Sequence, residues 1–250
     1  MDGFHGNYQY KIIERIGKGG FGYVEKIELF NIAGHRCGNY ARKCLRGDFG
    51  DDLDEYRRRF EREVTYQANC IHTNVANIYL CDLISPHPWF IMDLADSDLQ
   101  KDINSKTLSM EQKIAAINMV LQGVALIHEQ NYLHRDIKPN NVLRFGGVYK
   151  VSDFGLVKNL DTAAESEVLT KITTWMGNQQ YWAPEVVAAA KYSVGSDIYS
   201  LGILMEDMGF PDTSSIQKVI KKSTERRPLD RYASVKDLQE DFIAAAKDLT

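Results

Sequence analysis

The chain has 250 residues, 44% of them hydrophobic, which is enough for one domain or a pair of packed lobes with a sizeable core. Net charge is −4 and no Lys/Arg run stands out, so composition points away from nucleic-acid and membrane-surface binding. The four cysteines form no CxxC pair, which argues against a disulfide framework or a zinc site and for reduced thiols in a cytoplasmic protein. The start MDGFHGNYQY has no signal-peptide hydrophobic stretch, and no apolar run is long enough to span a bilayer.

In chain order, YKIIERIG and GYVEKIELF are two apolar-rich runs joined across KGGF, the pattern of a hairpin. CGNYARKCL reads as a third strand. From Asp52 to about Asn69 the period becomes helical, with Phe60, Val64 and Ala68 in phase. VANIYLCDL and WFIMDL read as strands again, with Pro86 and Pro88 in the turn between them. After Leu94 the pattern is mostly helical. Ser109 to Gln112 fits a capping box, and Ile114, Ile117, Leu121 and Val124 form a stripe behind it. NVLRFGGVYKVSDF returns to hairpin character, and later helices are expected over 196–208 and 235–249. A small β-rich lobe before a larger α-rich lobe is an α+β arrangement.

Several stretches carry chemistry. In GKGGFGYV, Gly17, Gly19 and Gly22 would let backbone amides approach phosphate oxygens. GxGxxG also marks dinucleotide folds, but such a fingerprint should open a helix, and here a strand pattern follows. Lys43 lies in the next strand. Glu63 sits on the first helix, where charges are common. HRDIKPNNV puts Asp136, Lys138 and Asn141 within six residues: a proton acceptor, a cation for phosphate charge and an oxygen ligand for magnesium. Asp153 of SDFG follows twelve residues after Asn141 as a second hard ligand. WAPE and SDIYSLG come next. A second DFG, at 48–50, has no catalytic loop before it and reads as a turn leading into the helix.

Together these motifs resemble the eukaryotic-type (Hanks-type) serine/threonine protein kinases, from about Tyr8 to about Leu249. The resemblance implies one bilobal kinase domain over 1–250, with an N-lobe at about 8–93, a C-lobe at about 96–250 and a shortened C-terminal helical region. It implies ATP and Mg2+ as cofactors and proteins with Ser/Thr acceptors as partners. Gly17, Gly19 and Gly22 would cover the phosphates. Lys43 would hold them and pair with Glu63. Val24, Ala41 and Leu143 would sandwich the adenine. Asp93 to Ala95 would face it from the hinge behind Met92. Asp136 would take the acceptor proton beside Lys138, which argues for serine/threonine substrates. Asn141 and Asp153 would bind magnesium. Glu185 would pair with Arg231. Thr174, with Thr173 and Thr170 as neighbours, would be the activation-segment phosphosite, facing Arg135.

Three departures stand out. Asn178 and Gln179 replace the usual Thr-Pro. Gln67 stands where the family places an apolar residue and is expected to loosen the active state, so that Gln67→Leu raises activity. Only 34 positions separate Asp197 from Arg231. Two alternatives remain beside an active protein kinase. A pseudokinase scaffold is disfavoured by the presence of Lys43, Asp136 and Asp153. A small-molecule phosphotransferase is disfavoured by the full glycine-rich loop and APE segment.

Overall fold

The computed structural model describes residues 1–161 and 179–249. The chain resolves into two compact units, Met1–Ile71 with Ala76–Ala95, and His72–Val75 with Asp96–Thr250.

The first unit is an antiparallel sheet of six strands: β1 (Gly3–His5), β2 (Tyr8–Lys18), β3 (Gly22–Asn31), β4 (Arg36–Leu45), β5 (Ile78–Asp82) and β6 (Trp89–Asp93). Their order is β1-β2-β3-β4-β6-β5. The sequence pattern finds every strand but β1, which pairs through Phe4↔Gln9 across a two-residue turn with Gly6 at φ 54°. The strand expected from Val75 begins only at Ile78, because Val75 instead bridges to Val151 in the second unit.

Side chains alternate between faces along each strand. On one face lie Phe90 and Leu45, packed with Phe60 and Val64 of helix α1 (Leu53–Asn69). On the other lie Ile27, Leu29, Cys44 and Ile91, with Tyr10 and Trp89. A charge is buried among them. Arg42 donates to Glu25 at 2.6 Å and to the Tyr10 hydroxyl, with its guanidinium 4.4 Å from the Tyr10 ring. Burial pushes the neighbouring Cys44 thiol up to about 11.

Gln67 on α1 is 2% exposed, yet its amide donates to the Ala76 carbonyl at 2.8 Å. The polar side chain ties the helix end to the returning chain. Removing it would leave a buried carbonyl without that donor, an unfavourable change. The other end of the same amide, its carbonyl oxygen, is buried with no hydrogen-bond partner among the described residues, which is unfavourable in the opposite sense.

In the second unit, β7 (Ser97–Asp98), β9 (Val142–Phe145) and β10 (Val148–Val151) form one sheet, and β8 (Tyr132–Leu133) pairs with β11 (Lys158–Asn159). The helices are α2 (Leu99–Ser105), α3 (Met110–Glu129), α4 (Pro184–Ala189), α5 (Val194–Asp207), α6 (Ile216–Ser223) and α7 (Val235–Ala246). The Ser109 capping box has both of its hydrogen bonds. Helix α5 starts earlier than the expected Ser196, because Ser193 is the residue that caps it. Helix α7 stops at Ala246 rather than reaching Leu249. Helices α3, α5, α6 and α7 share a core of Ile117, Leu121, Leu201, Leu204, Ile216, Leu238 and Phe242.

Arg231 fastens this unit. Its side chain is fully buried, and it meets both oxygens of Glu185 at 2.8 and 2.9 Å. It also donates to the carbonyls of Glu225, Gly195 and Arg226. All five guanidinium N–H groups therefore have acceptors. Arg231→Ala leaves the half-buried Glu185 carboxylate and three backbone carbonyls without their donor, and unfolding measurements should show a loss of about 3 kcal/mol.

Candidate active site

In the first unit, register decides which side chains share a face. Val24 lies opposite Lys43, and Ala41 opposite Met92. Lys43, Val24 and Ala41 therefore stand on the face that meets α1. Glu63, 5% exposed on that helix, accepts a hydrogen bond from the Lys43 ammonium. The predicted pair is present. Asp93 and Ala95 end this unit; Asp93 accepts from the Tyr79 hydroxyl at 2.7 Å.

The glycines differ in role. A Cβ at Gly22 would come within 2.3 Å of the Cys44 carbonyl oxygen, so β4 itself requires glycine there. A Cβ at Gly17 would meet only the Val24 side chain at 3.6 Å, an ordinary contact, and one at Gly19 would touch nothing closer than 4.0 Å. Among the described residues, no steric contact requires glycine at these two positions.

In the second unit, the loop after β8 is set by Asp197. This carboxylate, 1% exposed, accepts the backbone N–H groups of His134 at 2.8 Å and Arg135 at 2.9 Å, and the His128 imidazole at 2.9 Å. Burial alone would raise its pKa, but these donors hold it below the ordinary carboxylate range. Arg135 sits at φ 68°, a region costly for a side-chain-bearing residue, and the two amide bonds to Asp197 hold it there. Arg135 also stacks on the Tyr192 ring at 3.8 Å.

His134 is fully buried, and its ring is satisfied as a neutral imidazole. Nε2–H donates to the Ser152 carbonyl at 3.1 Å, and Nδ1 accepts from the Asp136 amide at 3.3 Å. Burial lowers its pKa.

Asp136, Lys138 and Asn141 converge. The Lys138 ammonium reaches the two Asp136 carboxylate oxygens at 3.0 and 2.7 Å. The Asn141 amide nitrogen donates at 2.8 Å to both the backbone and the side chain of Asp136. Burial raises the pKa of Asp136; Lys138 opposes this and the charge of Asp153 reinforces it. Asp153 adopts φ 64°, and Ser152 before it donates to the Asn141 carbonyl. Leu143 is half-buried in β9.

This donor set suits a hard divalent cation. Asn141 spends its nitrogen on Asp136, which leaves its oxygen as the free end of the amide, and two carboxylates stand close enough to repel. Among the described residues no three His, Cys, Asp or Glu side chains form a metal cage. Magnesium does not need one, because it keeps waters and substrate phosphates as ligands.

Sequence reasoning assigned no role to Asp197 or His128. The signal was there: a lone carboxylate among DIYSLGIL cannot be buried without donors. The copy at 48–50 does different work. Asp48 is exposed and ion-paired with Arg46. The acids of the first helical turn are Asp54 and Glu55, so Asp48 does not serve the helix N-terminus directly. Thr170, Thr173, Thr174 and Asn178 lie outside the described residues; Gln179 is exposed.

The model of the protein kinase domain family matches residues 10–245. The chain belongs to this family. Similar proteins include the probable serine/threonine-protein kinase PknB of Lactococcus lactis, 30% identical over 96% of this chain and 39% of its own. Serine/threonine-protein kinase sid1 of Schizosaccharomyces pombe is 31% identical over 96% of this chain and 50% of its own. Serine/threonine-protein kinase PrkC of Bacillus subtilis is 27% identical over 95% and 40%. The chain thus spans half or less of the length of these relatives. No helix among its described residues is long and apolar enough to cross a membrane.

Two predictions follow from the packing. Gly22→Ala should lower the thermal midpoint clearly, while Gly17→Ala should leave it nearly unchanged. The second concerns acid. The unfolded chain binds a proton at residue 134 below about pH 6.5, and the folded chain, with its lowered pKa, does not. Stability is therefore lost as pH falls through that value, by about 1.4 kcal/mol per pH unit for one proton. His134→Phe should flatten the fall in thermal midpoint between pH 7 and 5.

Proposed function

We propose that this chain is a single ATP-dependent protein kinase domain that phosphorylates serine and threonine hydroxyls of proteins. The observation that carries the reading is the convergence of Lys138 and Asn141 on the Asp136 carboxylate, in a loop fixed by Asp197. Lys43, held by Glu63, is the cation for the nucleotide phosphates. The backbone at Gly17, Gly19 and Gly22 covers them. Val24, Ala41 and Leu143 bracket the adenine, and the backbone from Asp93 to Ala95 faces it.

Asp136 orients the acceptor hydroxyl and takes its proton as the oxygen bonds to the γ-phosphorus. Lys138 balances charge on the transferred group as the bond to ADP breaks. Asn141 and Asp153 are the side chains that would hold Mg2+, whose contribution is to neutralise phosphate charge. Lys138 and the names of the relatives both support serine/threonine acceptors. Thr174, with Thr173 and Thr170 beside it, is the proposed site of autophosphorylation, and a phosphate there would give Arg135 an anionic partner. Nothing in the composition favours nucleic acid or a membrane surface as partner, and the location that fits is the cytoplasm.

The test is incubation with labelled ATP and Mg2+, followed by phosphosite mapping. Asp136→Ala and Asp153→Ala should abolish label, while Asp48→Ala, in the other DFG copy, should leave it nearly intact. Equal losses from Asp153→Ala and Asp48→Ala would overturn the metal assignment. Nucleotide binding without any label in the unmodified protein would favour a scaffold.

A further inference from the structure

The DFG copy at 48–50 has a phenylalanine that is neither in the core nor free. Phe49 stacks on Tyr56 of α1, with ring centroids 3.9 Å apart and planes 24° from parallel. Tyr56 in turn meets Phe21, at 5.5 Å and 37°. Phe21 is the tip of the glycine-rich turn between β2 and β3. The Arg59 guanidinium, one helical turn beyond Tyr56, lies 3.7 Å from the centre of the Phe21 ring. Arg59 is itself buried, and such a cation–π contact is stronger when water is excluded. The Arg46 amide donates to the Phe21 carbonyl at 3.1 Å, and the same residue's side chain pairs with Asp48 and approaches the Phe49 ring at 5.9 Å.

A turn with glycines at 17, 19, 20 and 22 has little stiffness of its own. One internal hydrogen bond, from the Gly19 amide to the Gly22 carbonyl at 2.8 Å, closes the turn, and the contacts above hold its tip from outside. They are aromatic and cationic rather than generic, and they come from two directions: the 46–49 segment and helix α1. Arg59 is also four residues before Glu63, on the same face of α1. One helical face therefore holds the tip of the turn and, one turn later, the Lys43 ammonium.

We propose that Phe49, Tyr56 and Arg59 are positioning residues: a clasp that holds Phe21, fixes the glycine-rich turn in a nucleotide-ready shape and so sets nucleotide affinity without touching nucleotide. The effect on affinity rests on the nucleotide reading above; the hold on the turn does not. The second copy of the triplet then has a role of its own, carried by its phenylalanine instead of its aspartate.

The experiment compares the unmodified chain with Phe49→Ala, Phe49→Leu and Phe49→Tyr. Leu keeps apolar bulk and guards against simple misfolding; Tyr keeps the ring. Amide hydrogen exchange at 19–22 is measured without nucleotide. Binding of a non-hydrolysable ATP analogue with Mg2+ is measured by calorimetry. Ala and Leu should each speed exchange at the turn and weaken analogue binding about three- to tenfold, the scale of one lost aromatic pair. The kcat at saturating ATP should stay within about twofold, as expected when only ground-state binding is lost. Tyr should restore both readouts. Unchanged exchange in Ala and Leu overturns the clasp, and so does faster exchange with unchanged affinity. If the analogue fails to bind the unmodified chain, the nucleotide reading falls and with it the claim on affinity, while exchange still decides whether the clasp holds the turn.

Discussion

The buried carboxylate of Asp197 is the constraint on which the second unit's chemistry depends. It offers two oxygens to three donors, two of them backbone amides of the loop that carries Asp136. Those amides belong to a residue at positive φ and its predecessor, so the carboxylate offsets a strain that no local preference would tolerate. Everything downstream inherits that geometry. His134 is turned inward as a neutral ring, which aligns the Asp136 amide with Ser152. Asn141 and Lys138 can then both reach one carboxylate.

The first unit uses the opposite strategy. Its site residues are placed by sheet register, not by a strained loop. Once β3, β4 and β6 pair, Val24, Ala41 and Lys43 must share a face, and α1 brings Glu63 to that face. The other face carries the buried Arg42–Glu25 pair. A one-residue slip of β4 would exchange the two sets: Lys43 would enter an apolar interior, and Arg42 would lose its partner.

Much of this was legible in the sequence, for reasons that can be named. Period-2 and period-3.6 patterns gave the strands of the first unit and helices α1, α3, α5 and α7, because each buries one face. The capping box at Ser109 was readable because its two bonds are local. Helix α6 escaped notice although Ile216, Val219 and Ile220 are in phase, since its eight residues sit between turns. Strand β1 escaped because three residues hold too little pattern. The partners distant in sequence were invisible: Gln67 with Ala76, Asp197 with the loop 63 positions before it, and Phe21 with Tyr56 and Arg59. Spacing did separate the two DFG triplets, one with an exposed Asp paired to Arg46 and one with Phe154 buried against His134. It did not foresee that the discarded copy has its ring engaged.

The shortness of the stretch between Asp197 and Arg231 has an architectural side. Both ends are pinned, one by the Asp197 hydrogen bonds and the other by the saturated Arg231 guanidinium. Between them, α5 ends at Asp207, Gly209 follows at φ 65°, and Asp212 and Thr213 are exposed before α6 begins. Lengthening a surface loop between fixed ends is inexpensive in chain entropy, about 0.6 kcal/mol for each doubling. The tip at 212–213 is thus a permissive port in the scaffold. Extra segments, from a short tag to a folded module, can be grafted there without asking the anchored ends to move.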